Sequence, residues 1–356
     1  MKRINLALQG GGAHGAFTWG VLSRLLAEED IEIAAISGTS AGALNAVALK
    51  SGWVAGGRQG AIENLDWLWR KVGAITDPNL AAWVSSFAPT AHLWAKSLEY
   101  SPLYAAFDFT TRMMSPYSFG AFAENPLTAI VEQFHYDTVC DSAGPELHIC
   151  ATNVRSGKIR VFTGDEICAD AIMASACLPN IFQAVEFVDP ATGKSEAFWD
   201  GGYTGNPALF PLFEKHLPDD ILIVNINPLY RDTLPTDVQS IQNRVNEISF
   251  NSSLLRELRA IDFVKRLITK GSVPHGAMKD VLVHMIADDG LMNDLNVATK
   301  TIGTPVVLER LRAAGAAAAT GAAAVGATAW VCCGATELTR LTRTFSPSSS
   351  PYSRFT

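Results

Sequence analysis

Dense apolar runs alternate with helically spaced ones from the start of the chain. Residues 4–8 form a short apolar run of strand length that gives way to the loop Gly10-Gly11-Gly12-Ala13-His14-Gly15. Phe17, Val21, Leu22 and Leu25 then recur at the three-to-four spacing that predicts a helix ending by Glu29. Residues 31–36 are a second run of strand length, followed directly by Gly38-Thr39-Ser40-Ala41-Gly42. A small-residue helix over 41–49 comes next, with Ser51-Gly52 expected to end it. Strand, helix, strand, helix with short links is the pattern of a parallel sheet covered by helices.

Further along, the pattern changes twice. The stretch 74–125 is aromatic-rich, with Trp83, Phe87, Trp94, Tyr104, Phe109 and Tyr117, and Pro78, Pro89, Pro102 and Pro116 interrupt it. It reads as a cap of short helices and loops. Asn125-Pro126-Leu127 reads as a helix start, where proline is tolerated in the first turn. Strands are predicted at 147–152, at 159–162 after the turn Ser156-Gly157-Lys158, and at 221–226 and 281–286. Residues 182–188 and 196–199 read as a hairpin around Thr192-Gly193. Apolar positions from Val238 to Ile268 mark a long amphipathic helical region with a break expected near Asn251-Ser252. Residues 313–336 carry no charge and are mostly Ala and Gly. That length would span a bilayer, but Ala and Gly partition into lipid far less readily than Leu or Ile. The expected organisation is one domain over 1–312 and a disordered or loosely helical tail over 313–356.

Composition narrows the function classes. The chain has 356 residues, 48% hydrophobic, with a net charge of −7 and a pI of about 5.5. Nucleic-acid binders draw affinity from a basic face, and no Lys/Arg cluster here suggests one. Six cysteines lie scattered without a CxxC pattern, so neither a disulfide framework nor a zinc site is indicated. No metal and no organic cofactor is expected. The basic start Met1-Lys2-Arg3 leads into an apolar run that stops at Gln9, too short for a signal-peptide core. A reduced, cytoplasmic protein is the expectation.

Three motifs carry chemistry. Gly38-x-Ser40-x-Gly42 lies between an apolar strand and a small-residue helix, the setting of a nucleophile elbow. There a serine hydroxyl projects from a tight turn, glycines let strand and helix approach, and the helix N-terminus favours an oxyanion. The same residues also suit a helix cap by Thr39 or Ser40. Gly10-x-Gly12-x-x-Gly15 matches a dinucleotide fingerprint, which needs an acidic residue about 20 positions on at the end of the second strand. That strand ends in Ser37-Gly38, and Asp30 and Glu32 lie at its beginning. The alternative use of consecutive glycines is to present backbone N–H groups to a developing negative charge, an oxyanion hole. The third motif, Asp200-Gly201-Gly202, is by itself a common turn sequence.

Glycine loop, GxSxG and DGG in this order resemble the patatin-like phospholipases over roughly residues 4–310. Ala174-Ser175-Ala176-x-x-Pro179 resembles a small-residue-plus-proline block of the same family. The resemblance implies a three-layer α/β/α sandwich with a helical, aromatic-rich cap. It implies Ser40 as nucleophile and Asp200 as its partner in a Ser–Asp dyad. Oxyanion and substrate contacts would come from Gly10, Gly11, Gly12, Ala13, His14, Gly15 and Ala41. Gly38 and Gly42 shape the elbow, and Gly201 and Gly202 follow the aspartate. A lipid or other acyl ester is the implied substrate, peripheral membrane contact is compatible with it, and protein partners are left open. The family often carries Arg or Lys where this chain has His14, so that fixed charge is missing while a hydrogen-bond donor remains.

An ordinary aspartate, with pKa about 3.9, is a weak base at neutral pH. A dyad therefore requires withdrawal of Asp200 from water, which raises its basicity. Two other readings compete. One is an α/β-hydrolase with a Ser–Asp–His triad, since His216, His275 and His284 all follow Asp200. Only one strand–helix unit precedes the strand leading to Ser40, which is early for that fold. The other is a binding domain, for a dinucleotide or a lipid, without turnover.

Overall fold

The computed structural model describes residues 1–75, 109–111, 113–118, 125–274 and 276–324. Among them eight strands form one mixed sheet: β1 (Lys2–Leu8), β2 (Ile31–Thr39), β3 (Glu146–Asn153), β4 (Ile159–Thr163), β5 (Val185–Asp189), β6 (Lys194–Asp200), β7 (Asp220–Asn225) and β8 (Leu282–Ala287). The order is β5-β6-β3-β2-β1-β7-β8, with β4 paired to β3. Strands β3, β2, β1, β7 and β8 are mutually parallel, while β4, β5 and β6 run antiparallel to their neighbours.

The helices that bear on the site are α1 (Gly15–Leu26), α2 (Ala41–Ala74), α3 (Ala169–Ser175), α4 (Val238–Thr269), α5 (Val297–Thr301) and α6 (Pro305–Ala324). Strand side chains alternate between faces, and the core divides accordingly. Leu6, Leu8, Ile36, Leu222 and Val224 join the cluster under α1, α2, α3 and α6. Ala7, Ala35, Ile221 and Ile223 join a second cluster with Leu254 and Ile261 of α4. Both faces of the parallel strands are covered, which is why those runs are apolar throughout rather than alternating. The result is the expected α/β/α layering.

The structure redraws several boundaries. β2 continues through Thr39, so Gly38 and Thr39 belong to the strand. Ser51-Gly52 does not end α2, whose dihedrals leave the helical region only at Gly56 and Gly57. Gly52 instead permits a close approach: a Cβ there would lie 2.3 Å from the Gly60 carbonyl oxygen across the kink. The break expected near Asn251-Ser252 is absent, and α4 runs on as one helix. Asn251 is buried and bonds to Gln9, Asn227 and Pro228, so its polarity serves a tertiary contact.

The boundary expected at 312 falls inside α6. That helix lies on α1 with backbones touching: a Cβ on Gly20 would sit 1.9 Å from the Arg312 oxygen, and one on Gly315 2.0 Å from the Phe17 oxygen. The run of small residues is the means of that contact. Most of the expected cap over 74–125, and the tail beyond 324, lie outside the described residues. Of the cap stretch, Tyr117 is described, and its hydroxyl accepts from the Ala184 amide at 3.1 Å.

Candidate active site

Sheet register explains how residues 160 positions apart meet. β3 pairs with β2 from Ala35↔Glu146 to Thr39↔Cys150, and with β6 from Asp200↔Ala151 onward. β4 occupies the other edge of β3 over His148–Thr152. β2 and β6 therefore share one edge of β3, one following the other. Thr39 and Asp200 sit against successive residues, Cys150 and Ala151, which brings the start of DGG beside Ser40.

Ser40 closes the strand-to-helix turn with φ 53° and ψ −122°, the only positive φ at a non-glycine among the described residues. Such a conformation persists only where its surroundings over-determine it, and here they do. The Ser40 amide donates to Ser175 Oγ at 2.9 Å, and the Ser175 hydroxyl donates to the Cys150 carbonyl at 2.6 Å. Thr39 Oγ1 donates to the Gly205 carbonyl at 2.6 Å. Glycine is required on both flanks because backbones touch: a Cβ on Gly42 would lie 2.2 Å from the Leu8 oxygen, and one on Gly38 2.7 Å from the Gly42 oxygen. Ala41 opens α2, whose N-terminus adjoins the Ser40 turn.

Asp200 is almost wholly buried at 1% exposure. Its Oδ1 accepts from the Gly202 amide at 2.7 Å, while Oδ2 is buried and, among the described residues, meets no partner at full hydrogen-bond geometry. Burial pushes the carboxyl up to about 7, against the smaller opposing pull of the Gly202 amide and the Ser40 side chain. No ion pair to Asp200 occurs among the described residues. Gly201 is needed for close packing, since a Cβ there would lie 2.2 Å from the Cys150 oxygen.

The glycine loop runs beside the elbow. A Cβ on Gly10 would come within 2.6 Å of Ser40 Cβ, and one on Gly15 within 2.6 Å of Ala41 Cβ. The three glycines are not equivalent. The Gly10 amide is occupied, donating to Asn206 Oδ1 at 2.7 Å, which removes it as a free donor. Among the described residues nothing accepts from the amides of Gly11 or Gly12. Gly12 has φ +59°, and a Cβ on it would meet the Lys300 carbonyl oxygen at 2.3 Å. Ala13 and His14 complete a single 3-10 turn leading into α1.

His14 is buried and faces away from any cationic role. Its Nε2 lies 2.8 Å from Thr299 Oγ1. The Thr299 hydroxyl proton goes to the Asn296 carbonyl at 2.7 Å, so His14 Nε2–H is the donor in that contact. Burial, with lesser contributions from Lys300 and Arg231, holds its pKa well below the ordinary histidine value. The ring is neutral at physiological pH.

The triad histidines lie elsewhere. His216 bonds to Glu146, and His284 bonds to Asp220 at 2.7 Å. Glu146 and Asp220 are the first residues of β3 and β7, at the opposite end of the sheet from Ser40. His275 is outside the described residues. Among the described residues no group of three or more His, Cys, Asp or Glu side chains could hold a metal, and no helix is long and apolar enough to cross a membrane.

Sequence reading missed the polar scaffold beneath the loop. Gln9 Oε1 accepts from the amides of Ile226 and Asn227, and its Nε2 donates to Asn251 Oδ1 at 3.1 Å. Asn206 and Asn227 hold Gly10 from two directions. The available signal was polar residues placed at the ends of apolar strands.

The chain thus combines a mixed α/β sheet with a strained serine at a helix N-terminus and a buried aspartate at the neighbouring register. Residues 6–213, more than half of the chain, match the family model described as patatin-like phospholipase, and the chain belongs to that family. No curated protein matches it. Among solved structures it is similar to VipD from Legionella pneumophila, at 15% identity, covering 89% of this chain and 66% of VipD with a TM-score of 0.37. It is also similar to ExoU of the Pseudomonas aeruginosa type III secretion system, solved with SpcU, at 15% identity, 89% and 52% coverage and a TM-score of 0.29. The chain thus spans just under two thirds of VipD and about half of ExoU.

Proposed function

We propose that this chain is a serine acyl hydrolase that cleaves carboxylic esters of lipids, with Ser40 as nucleophile and Asp200 as base. The observation that carries the reading is the buried, desolvated carboxyl of Asp200, which lies close enough to the Ser40 side chain to have its pKa lowered by it and whose Oδ2 has no other partner among the described residues. A carboxylate with a pKa near 7 is matched to proton transfer at neutral pH. Ser40 Oγ attacks the ester carbonyl carbon while its proton passes to Asp200. The tetrahedral oxyanion is met by the Gly11 and Gly12 amides, where one donor is typically worth about 3–4 kcal/mol. Collapse breaks the bond to the alcohol, which leaves with the proton from Asp200. Water then attacks acyl-Ser40, Asp200 takes its proton, and release of the acid returns that proton to Ser40. Family membership supports a phospholipid or related lipid ester as substrate.

The test is covalent labelling with a fluorophosphonate together with hydrolysis of a panel running from short nitrophenyl esters to phospholipid vesicles. Wild type labels once and turns over esters, and Ser40→Ala does neither while keeping its melting temperature. Substantial hydrolysis by folded Ser40→Ala overturns the assignment.

A further inference from the structure

Behind the glycine loop lies charge that this chemistry leaves unused. Glu247 of α4 is fully buried, and Arg231 grips both its oxygens at 2.8 and 2.6 Å. Arg244 approaches the same carboxylate at 3.3 Å and Lys300 of α5 at 3.9 Å. Three cations face one carboxylate. The three cations are only partly exposed, and surplus charge withdrawn from water is costly unless it is hydrogen-bonded or serves a further partner. Arg231 and Arg244 satisfy themselves on Glu247 and on the carbonyls of Asn293, Pro228 and Leu229. Lys300 stands apart. It is too far from Glu247 for a hydrogen bond, and its Nζ donates to Asn227 Oδ1 at 3.1 Å.

Asn227 carries that contact onward. Its Nδ2 donates to the Gly10 carbonyl at 2.8 Å and to Gln9 Oε1 at 3.2 Å, while Asn206 Nδ2 makes a longer bond to the same Gly10 carbonyl at 3.4 Å. The Gly10 carbonyl and the Gly11 N–H belong to one peptide group. An ammonium donating to an amide that donates to this carbonyl polarises each link in turn, and so strengthens the far N–H as a donor. The Lys300 backbone also bounds the loop, its carbonyl oxygen lying 2.3 Å from where a Cβ of Gly12 would be. Position 14, on the loop itself, holds a neutral histidine turned toward Thr299, the neighbour of Lys300.

We infer that Lys300 is a positioning residue for ester hydrolysis, orienting and polarising the Gly11 amide through Asn227 and the Gly10–Gly11 peptide. This rests on the glycine loop being the oxyanion site. A polarised donor gains most where charge develops, so the effect falls on the transition state more than on substrate binding. Among the described residues the charged and titratable groups acting on Lys300 are Glu247 from α4, Arg231 from the segment after β7, and His14 from the loop, with Arg244 sharing the Glu247 carboxylate. Burial, assisted by Arg231 and opposed by Glu247, brings the Lys300 pKa down to about 8. Glu247 is held below its ordinary range: burial raises it, and the Arg231 hydrogen bond and the Lys300 charge outweigh that. Lys300 is therefore the member that loses charge as pH rises through about 8.

The experiment is a double-mutant cycle of Lys300→Met and Asn227→Ala on a short-chain ester, with a thermal melt of each variant and a pH profile of Lys300→Arg. Each single variant should lower kcat on the order of tenfold to a hundredfold, less than direct loss of an oxyanion donor. KM should stay within about threefold, and the double variant should be no worse than the worse single. Lys300→Arg should keep most activity and lose the fall in kcat expected of wild type above about pH 8. Unchanged kcat in folded Lys300→Met, a loss confined to KM, or additive losses overturns the inference. If Lys300→Met does not fold, the arginine variant decides, and an alkaline fall retained there overturns it. Turnover by Ser40→Ala would instead sink the site assignment itself, so the two failures are distinct.

Discussion

Asp200 and Asp220 stand at opposite ends of one sheet, and their surroundings drive the same side chain in opposite directions. Asp220 opens β7, where Lys2 Nζ lies at 3.0 Å and His284 Nε2 at 2.7 Å. Partial burial pushes its carboxyl up, but hydrogen bonds from Lys2 and His284 outweigh that and hold it below the ordinary range. Asp200 ends β6 with no cation on it among the described residues, and burial lifts it to about 7. A carboxylate held by a lysine and a histidine is a structural tie and a poor base. One stripped of water and left without a cation is reactive. The Asp220–His284 pair has the chemistry of a triad's acid and base, yet it lies at the far end of the strands from Ser40. Local chemistry is therefore an unsafe guide to catalysis until the position on the sheet is known.

The sharpest way to break this contrast is to remove each carboxylate in turn. Asp200→Asn should lower kcat/KM by roughly 10³–10⁴, as loss of a general base does for a serine nucleophile. Asp220→Asn and His284→Ala should stay within about threefold of wild type. The check is kinetics on a short-chain ester with folding verified by thermal melt. A folded His284→Ala as inactive as Ser40→Ala would reverse the roles assigned to the two ends.

Next in size is the pH dependence. In the proposed role Asp200 works as a base only when ionised, so kcat/KM should rise with pH through an apparent pKa of about 7. The same profile should persist in His284→Ala, because that histidine is tied to Asp220. An acid limb centred near 4, the ordinary aspartate range, would show that Asp200 is not desolvated in solution.

The smallest effects concern stability, and the two aspartates should differ in sign. The folded-state pKa of Asp200 is raised, so its contribution is fully present below its unfolded pKa and is lost as pH rises through about 7. Asp200→Asn should therefore melt a few degrees above wild type at pH 8, with the gap closing at acid pH. Asp220 is depressed, so its contribution is present above its unfolded pKa and lost as pH falls through the folded one. Asp220→Asn should melt about a degree or two lower at neutral pH, a modest loss because the pair is partly solvated. Melts across pH that move the same way for both variants would erase the distinction.

Much of the site was legible because its constraints are local. Gly38, Ser40 and Gly42 are spaced by the turn itself, and a Cβ on either glycine strikes backbone within a few residues or on the adjoining strand. Illegible features depend on distant partners. Ser175 was noticed only within a block of small residues, and its grip on the Ser40 amide spans 135 positions. Asn251 looked like a helix break because a polar residue on an apolar face interrupts the periodicity. Its partner Gln9 lies 242 positions away. The Ala/Gly stretch after 312 looked like loose tail because small residues carry little hydrophobic signal. Their value in α6 is that they let two helix backbones touch, as Gly20 does with Arg312.

By itself the sequence determined the alternation of strands and helices, the elbow and the glycine loop, because hydrophobic period and glycine geometry act over a few residues. Tertiary structure alone decided which carboxylate is desolvated, which glycine amides are free, and which histidines are remote. Those properties depend on burial and on partners brought together by strand register, and neither is encoded in the spacing of neighbouring residues. Asp200 and Asp220 are the same letter in the sequence. What separates them is that β6 follows β2 along one edge of β3 and ends beside the elbow, while β7 begins at the other end of the sheet beside Lys2 and His284.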